Sequence, residues 1–341
     1  KKGKKFAEKT IKMSQKAEKP FRKNGKRLGK VESQAIDWLR FPMAVGVVFI
    51  HAYGVGALTP SAIEGVHPLW VECCRLLRSL LSQWLPAVAV PAFFLISGRL
   101  FFKGIARFSR EVYFSKLHRR LFSLALPYFL WNIIALVVQF LRTRWEVLTL
   151  ENAFEKFSFY VRQKGGWSVF WDSHSIGRDT HNWFGFPVEG LTAPVDVPLW
   201  FVRELMVLAL LSPLIGWLLR RLRWRFLLLL TLCYVLSVWM PVHGLSVSAA
   251  LFFSLGAWVS LTGRNLVEIC RPYYRISALM VGLMLVVNQF VQMPAFFSAT
   301  WQLLFILAEM VLAINVATSL SARRRWRFPL VLSGSVFVIY A

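Results

Sequence analysis

Apolar residues fall along this chain in long uninterrupted blocks, not in strict alternation and not as a stripe on one face of polar helices. Blocks near 36–57, 83–102, 120–141, 198–219, 224–240, 245–262, 276–293 and 300–320 are each about long enough to cross a ~30 Å hydrocarbon core at 1.5 Å per residue. A ninth begins near Phe328 and runs to the last residue, Ala341. Lipid cannot satisfy backbone N–H and C=O groups, so continuous spans of this length must be helices. The pattern predicts an all-α fold, a polytopic transmembrane helical bundle with about nine visible spans. A large soluble protein would have to bury eight such helices in succession.

Composition agrees. Hydrophobic residues are 56% of the chain and charged residues 17%, against about 45–50% and roughly 25% in soluble domains. A net charge of +24 would point to nucleic acid in a soluble protein, but its location points elsewhere. Thirty Lys and Arg crowd the first thirty residues and the segments 103–120, 220–225, 264–275 and 323–327. The alternate connections, including 142–197, carry eight. Alternation of this kind predicts a cytoplasmic N-terminus, with membrane lipid and not nucleic acid as the partner.

Residues 1–33 form a basic cytosolic tail and 34–341 a membrane domain with a long external connection near 142–197. The tail is too long and polar for the first region of a signal peptide, so no cleavage is expected. It sets orientation or touches anionic headgroups. The chain begins at Lys1 without Met and stops within the ninth span, as expected of a trimmed sequence.

Cys73, Cys74, Cys233 and Cys270 lack metal or disulfide spacing and read as packing residues. His174 and His181 with Asp172 and Asp179 match no metal-binding spacing either, so no metal is expected.

Ionisable side chains within a span cost about 2.5–3.5 kcal/mol each on insertion scales, which makes them functional candidates. Arg40 and His51 are eleven residues apart on the first span. Eleven steps of about 100° place them on one helix face, roughly 16 Å apart along the axis. Ala44 and Val47 lie on that stripe and Gly54 continues it. A cation, small residues and an imidazole in line describe a slot for a long ligand. The competing reading has Arg40 snorkelling to headgroups and His51 packed.

Arg, ten residues, then His on the first span resembles the signature of the acyltransferase family 3 membrane proteins, which acylate cell-surface glycans and related acceptors. PAFFLISGRLFF (91–102), KLHRRLFSLALPYFLWN (116–132) and PLWFVRELMVLALLSPLI (198–215) resemble later stretches of that family, in order. The resemblance covers about residues 34–341. Arg99 departs from it, standing after Ser97-Gly98 where an aromatic is usual. The family generally has ten spans. Ser97 reads as packing, since nothing supplies it with a base.

The resemblance implies an enzyme that moves an acyl group, most often acetyl, from cytosolic acyl-CoA to a hydroxyl of an extracytoplasmic glycan or lipid-linked saccharide. A bacterial inner membrane is the natural setting. Acyl-CoA is then a donor substrate, with no tightly bound cofactor. His51 is assigned as general base or as transient acyl carrier. Arg40, Arg119 and Arg120 are assigned to the donor's phosphates, which arginine forks match, with a purely topological role as the competing reading for Arg119 and Arg120. Lys116 and His118 read as topology signals.

Arg203 and Glu204, side by side on the fourth span, are assigned with His51 and Arg40 to the catalytic set. Arg203 would stabilise an oxyanion or orient an anionic group; a structural ion pair with another helix is the competing reading. Glu309 would partner Arg203 or orient His51. Trp200, with Trp167, Trp171 and Trp183 of the external connection, is assigned to the acceptor, since aromatic faces suit sugar rings. Interfacial anchoring is the alternative for any one of them. A glycan or small-molecule transporter is the alternative function, but transporters tend to show paired halves and the Arg40–His51 span has no second copy.

Overall fold

The computed structural model describes residues 29–52, 67–105, 109–144, 152–175, 180–181, 187–188, 192–238 and 242–322. The ninth expected span and most of the tail lie outside the described residues. Among the described residues six helices are long and apolar enough to cross a membrane: Gly29–Ala52, Pro68–Phe102, Arg110–Thr143, Val197–Leu222, Leu266–Phe290 and Ala295–Ala322. We call the first α1. Residues 29–33, assigned by composition to the tail, form its first turns, and Glu32 is buried there.

Two of the long helices are broken where proline demands it. Pro68–Phe102 divides into α2 (Pro68–Ser79), a wide turn at Leu80–Trp84, and α3 (Ala89–Phe102). Pro86 has no N–H to donate, and just before it the amide of Leu85 reaches back five residues to the Leu80 carbonyl, 2.9 Å away. The same device separates α4 (Arg110–Arg120) from α5 (Leu126–Arg144): a wide turn at Leu121–Ala125 precedes Pro127.

The long connection carries α6 (Ala153–Gln163), a tight turn at Gly166–Phe170 and four two-residue strands. Strand β1 (His174–Ser175) pairs antiparallel with β4 (Thr192–Ala193), and β2 (Thr180–His181) with β3 (Pro187–Val188). The chain then continues through α7 (Trp200–Leu222), α8 (Trp224–Val235), α9 (Val247–Leu261), α10 (Leu266–Cys270), α11 (Tyr274–Phe290) and α12 (Ala295–Ala322). Two expected spans come out shorter than anticipated. Helices α8 and α9 have 12 and 15 residues, about 18 and 22 Å of rise. The apolar sequence continues past Val235, but the helix ends there and Ser237 turns into the left-handed region at φ 51°.

The helices run between a basic face, where α1 starts and α7 ends, and a loop face, where the described parts of the 142–197 connection dock on Arg203 of α7. One core cluster joins α1, α3, α7, α9 and α12. Its tightest point is the crossing of α3 and α9. A Cβ on Gly98 would stand 2.0 Å from the Phe253 carbonyl oxygen, and one on Gly256 1.9 Å from that of Leu95. Small residues let membrane helices approach this closely, and dispersion contact then holds them. Ser97-Gly98 is therefore a packing element.

Candidate active site

Arg40 sits on the basic half of α1, partly exposed, with Asp37 one turn earlier 3.3 Å from its Nη1. Across from it lies Arg120 at the end of α4, close enough for the two guanidinium charges to repel. Lys116, on the same helix, feels the charges of both Arg120 and Arg119. The two charges, carried by separate helices, therefore act on one another, and Arg119 stands exposed beside Arg120. Like charges held together are unfavourable until an anion lies between them. Lys116 also fastens α4 to the C-terminal end of α3, its ammonium donating to the carbonyls of Phe101 (2.5 Å) and Lys103 (2.9 Å).

His51 lies in the last turn of α1, half-buried, and makes no hydrogen bond among the described residues. The stripe between Arg40 and His51 is closed, not an open slot. Ala44 and Val47 are fully buried in the main core cluster, while Gly54 lies outside the described residues. Gly46, nearby on α1, seats against the helix break, where an added Cβ would meet Pro86 Cβ at 3.2 Å and Ala89 Cβ at 3.3 Å. The outer half of α1 is therefore positioned by the proline-induced bend in its neighbour.

Arg203 and Glu204, both fully buried at the loop end of α7, work in different directions. The Arg203 guanidinium donates to the Trp171 carbonyl and to Thr192, 3.2 Å to Oγ1 and 2.8 Å to the carbonyl, and lies 5.4 Å from the centre of the Trp171 ring. Gly244 completes this junction. At φ 91°, an added Cβ there would stand 2.8 Å from Trp171 Cζ2. Glu204 accepts a 2.7 Å hydrogen bond from Ser246, whose hydroxyl also caps α9 by accepting from the Ala249 amide. Arg203 fastens the connection to α7, and Glu204 fastens α9.

Glu309, buried on α12, meets the backbone amide of Val88 at the start of α3. A carboxyl at this helix end complements its unpaired N–H groups. Its Oε2 has no hydrogen-bond partner among the described residues. Trp200 is partly buried against the main core, Trp171 is held under Arg203, and Trp167 is 80% exposed. Trp183 lies outside the described residues. Among the described residues no group of three His, Cys, Asp or Glu is placed to hold a metal ion.

Two polar groupings carry no sequence motif. At the basic face Arg99 and Glu32 form a buried ion pair, and the departure at Arg99 was its one sequence signal. At the loop face the Asp196 amide donates to Asn132 Oδ1 at 3.1 Å, and Asn132 Nδ2 donates to the Tyr128 carbonyl at 2.8 Å. Tyr128 in turn donates to the Phe170 carbonyl. Burial pushes the Asp196 carboxyl up to about 6.

A family model for the acyltransferase domain of acyltransferase family 3 matches residues 33–341. The chain belongs to that family. It is a multi-pass helical membrane protein within it. A relative from Rhizobium meliloti (strain 1021), the succinoglycan biosynthesis protein ExoH, is 27% identical over 235 residues, 69% of this chain. The match spans 55% of the relative, so the chain covers about half its length. No solved structure matches.

Proposed function

We propose that this protein is a membrane O-acyltransferase that takes an acyl group, acetyl in the simplest case, from acyl-CoA at the basic face. It delivers that group to a hydroxyl of a glycan or lipid-linked saccharide at the loop face. The basic face is then cytoplasmic, the N-terminus with it, and the membrane is a bacterial inner membrane. The observation that carries this reading is that one helix, α1, holds Arg40 at its basic half and His51 at its far end, with the charge of Arg120 near enough to act on Arg40.

Coenzyme A bears a diphosphate and a further phosphate at one end and the thioester at the end of a long flexible arm. Arg40 and Arg120 take the phosphates, with Arg119 at the rim. The arm then runs towards His51, about 16 Å further along α1. The packed Ala44–Val47 stripe must part from its neighbours to admit it. In direct transfer, the His51 imidazole takes the proton of the acceptor hydroxyl as its oxygen attacks the thioester carbonyl. The coenzyme A thiolate leaves and recovers that proton. In the two-step route, the imidazole nitrogen attacks first, coenzyme A leaves, and the acceptor hydroxyl displaces the acyl group from the ring.

Arg203 and Glu204 act here as positioning residues. Their hydrogen bonds to Thr192 and Ser246 set the loop face on which the acceptor lies. Exposed Trp167 offers an aromatic face to a sugar ring. The family match and the relative's role in succinoglycan biosynthesis support a polysaccharide acceptor.

The test uses membranes containing wild-type protein or His51→Ala at equal expression, supplied with labelled acetyl-CoA. Label should enter the glycan or lipid-linked fraction only with His51 intact; equal transfer by both would remove His51 from the chemistry. Label retained on the protein when acceptor is withheld marks the acyl-histidine route.

A further inference from the structure

We propose that Asp196 is an acceptor-binding residue, whose carboxylate takes hydrogen bonds from saccharide hydroxyls at the loop face. The identity of the ligand rests on the acyltransferase reading above.

Asp196 stands just before the tight turn Val197–Leu199 that leads into α7. A carboxylate in that position ordinarily accepts from the second or third amide that follows it. Here neither is on offer. Pro198 has no N–H, and the Leu199 amide donates to the Asp196 carbonyl at 3.0 Å. The sequence Asp-Val-Pro-Leu therefore leaves the side chain without a capping bond. None of the described residues donates to its carboxylate, although the residue is only 9% exposed.

The backbone around it is tied down on both sides. The Asp196 amide donates to Asn132, which is fully buried on α5. The Val195 amide donates to the Val169 carbonyl at 2.8 Å, and the Val195 carbonyl accepts from Gln139 Nε2 at 3.4 Å. Thr192 and Ala193 are paired with β1. A firmly held backbone that presents an unused carboxylate is the arrangement of a preorganised binding group. Burial without a partner opposes the charge, so a neutral residue would serve the empty protein better. Stability given up in this way is characteristic of functional positions.

A carboxylate accepts from hydroxyls and amines and also attracts cations. The Tyr128 hydroxyl lies within range of the charges of both Asp196 and Arg203, so a guanidinium already occupies this neighbourhood. Among the described residues no three ligating side chains are placed to hold a metal ion. A neutral polyhydroxyl ligand suits these surroundings better than a cation. The same folded connection exposes Trp167 and Trp171, and it holds the buried Ser173 hydroxyl, which has no partner among the described residues. Hydroxyls set around apolar ring faces are the surface of a sugar.

The test uses the purified full chain in detergent at pH 8, where Asp196 is ionised. The probe is a set of oligosaccharides from the surface polysaccharide of the producing bacterium, de-O-acylated with mild base to free their hydroxyls. They should raise the unfolding temperature of wild type. Asp196→Asn should need about tenfold to a hundredfold more of them for the same rise. With labelled acetyl-CoA, the replacement should raise KM for the saccharide by a similar factor and leave KM for acetyl-CoA unchanged. A merely structural role would move both.

No response of wild type to the saccharides, or an equal response of both proteins, would overturn the site. So would a lower unfolding temperature of Asp196→Asn without saccharide, which would show the carboxylate held within the chain. Calcium chloride that stabilised wild type in place of the saccharides, and not the variant, would make it a cation site instead. Saccharide binding that depends on Asp196, with no label transferred by wild type, would keep the site and remove the acyltransferase reading. Label transferred with equal saccharide KM by both proteins would do the reverse.

Discussion

Arg99 on α3 and Glu32 on α1 form a two-pronged ion pair, Nε to Oε1 at 3.0 Å and Nη2 to Oε2 at 2.9 Å. The remaining Nη1 donates to Ser260 Oγ at 2.6 Å, and Glu32 also accepts from the Leu266 amide at 3.1 Å. Four helices are thereby joined at the basic face. Removing one partner strands the other, which costs about 3–5 kcal/mol for a buried pair. Arg99→Ala and Glu32→Ala should each lower the unfolding temperature strongly in detergent. The double replacement Glu32→Leu with Arg99→Met should cost much less than the sum of the two single losses. Simple additivity would show that the pair is not coupled.

Arg120 is expected to show opposite effects in the free and the loaded protein. It is held near Arg40, so Arg120→Gln removes a repulsion and should slightly raise the unfolding temperature without ligand. The same change removes a charged partner for phosphate, worth about 1.5–3 kcal/mol. Acyl-CoA binding should weaken roughly tenfold to a hundredfold, with KM rising more than kcat falls. Lys116→Gln should instead lower stability, since its ammonium holds the Phe101 and Lys103 carbonyls. Unchanged acyl-CoA affinity in Arg120→Gln would remove the arginine pair from the donor site.

Gly98 and Gly256 allow a sharper structural test, because Gly282 on α11 provides an internal control. Alanine at either of the first two must push backbone apart, its Cβ landing about 2 Å from a carbonyl oxygen. The loss should reach or exceed the ~1–3 kcal/mol usual for overpacking. Nothing lies within 4 Å of a Cβ on Gly282, so alanine there should be neutral or stabilise by up to ~1 kcal/mol through helix propensity. Yields of folded protein after detergent extraction would separate the three.

The spans were legible because lipid forces apolar sequence into helices over a length that composition alone reveals. Helix α8 was overestimated for the same reason, since hydropathy continues where the backbone turns at Ser237, and α9 is shortened at its start by the Ser246 cap. Arg40 and Arg120 could be nominated separately by charge and position, but that the fold brings their charges within range of one another is a tertiary fact. Glu32 and Arg99, 67 residues apart, left no joint pattern. Arg203 and Glu204 were singled out correctly as interior residues, yet their partners at Trp171, Thr192 and Ser246 depend on how the connection folds back. Cys73 and Cys74 read as packing residues and are exposed. Their apolar neighbours in sequence mimic a core, and hydropathy does not tell a fully buried helix from one such as α2, whose described residues stay half-buried or exposed.

Asp196 gives the fold a pH dependence whose sign can be worked out. Burial raises its carboxyl from 3.8 to about 6 in the folded protein, so the folded state favours the protonated form. The stabilisation is fully present below the unfolded value of 3.8 and is lost as pH rises through 6. Above that, the folded protein must keep a charged carboxylate in a site that disfavours it, at a cost of at most about 3 kcal/mol. Asp196→Asn keeps the shape and the backbone hydrogen bond to Asn132 but cannot ionise. It should raise the unfolding temperature at pH 8 and leave it unchanged near pH 4. Thermal unfolding of the two proteins across that range measures the difference directly. An equal shift at both pH values would mean that the side-chain amide, not the missing charge, is responsible. A fall at pH 8 would mean that the carboxylate is held by a cation when ionised.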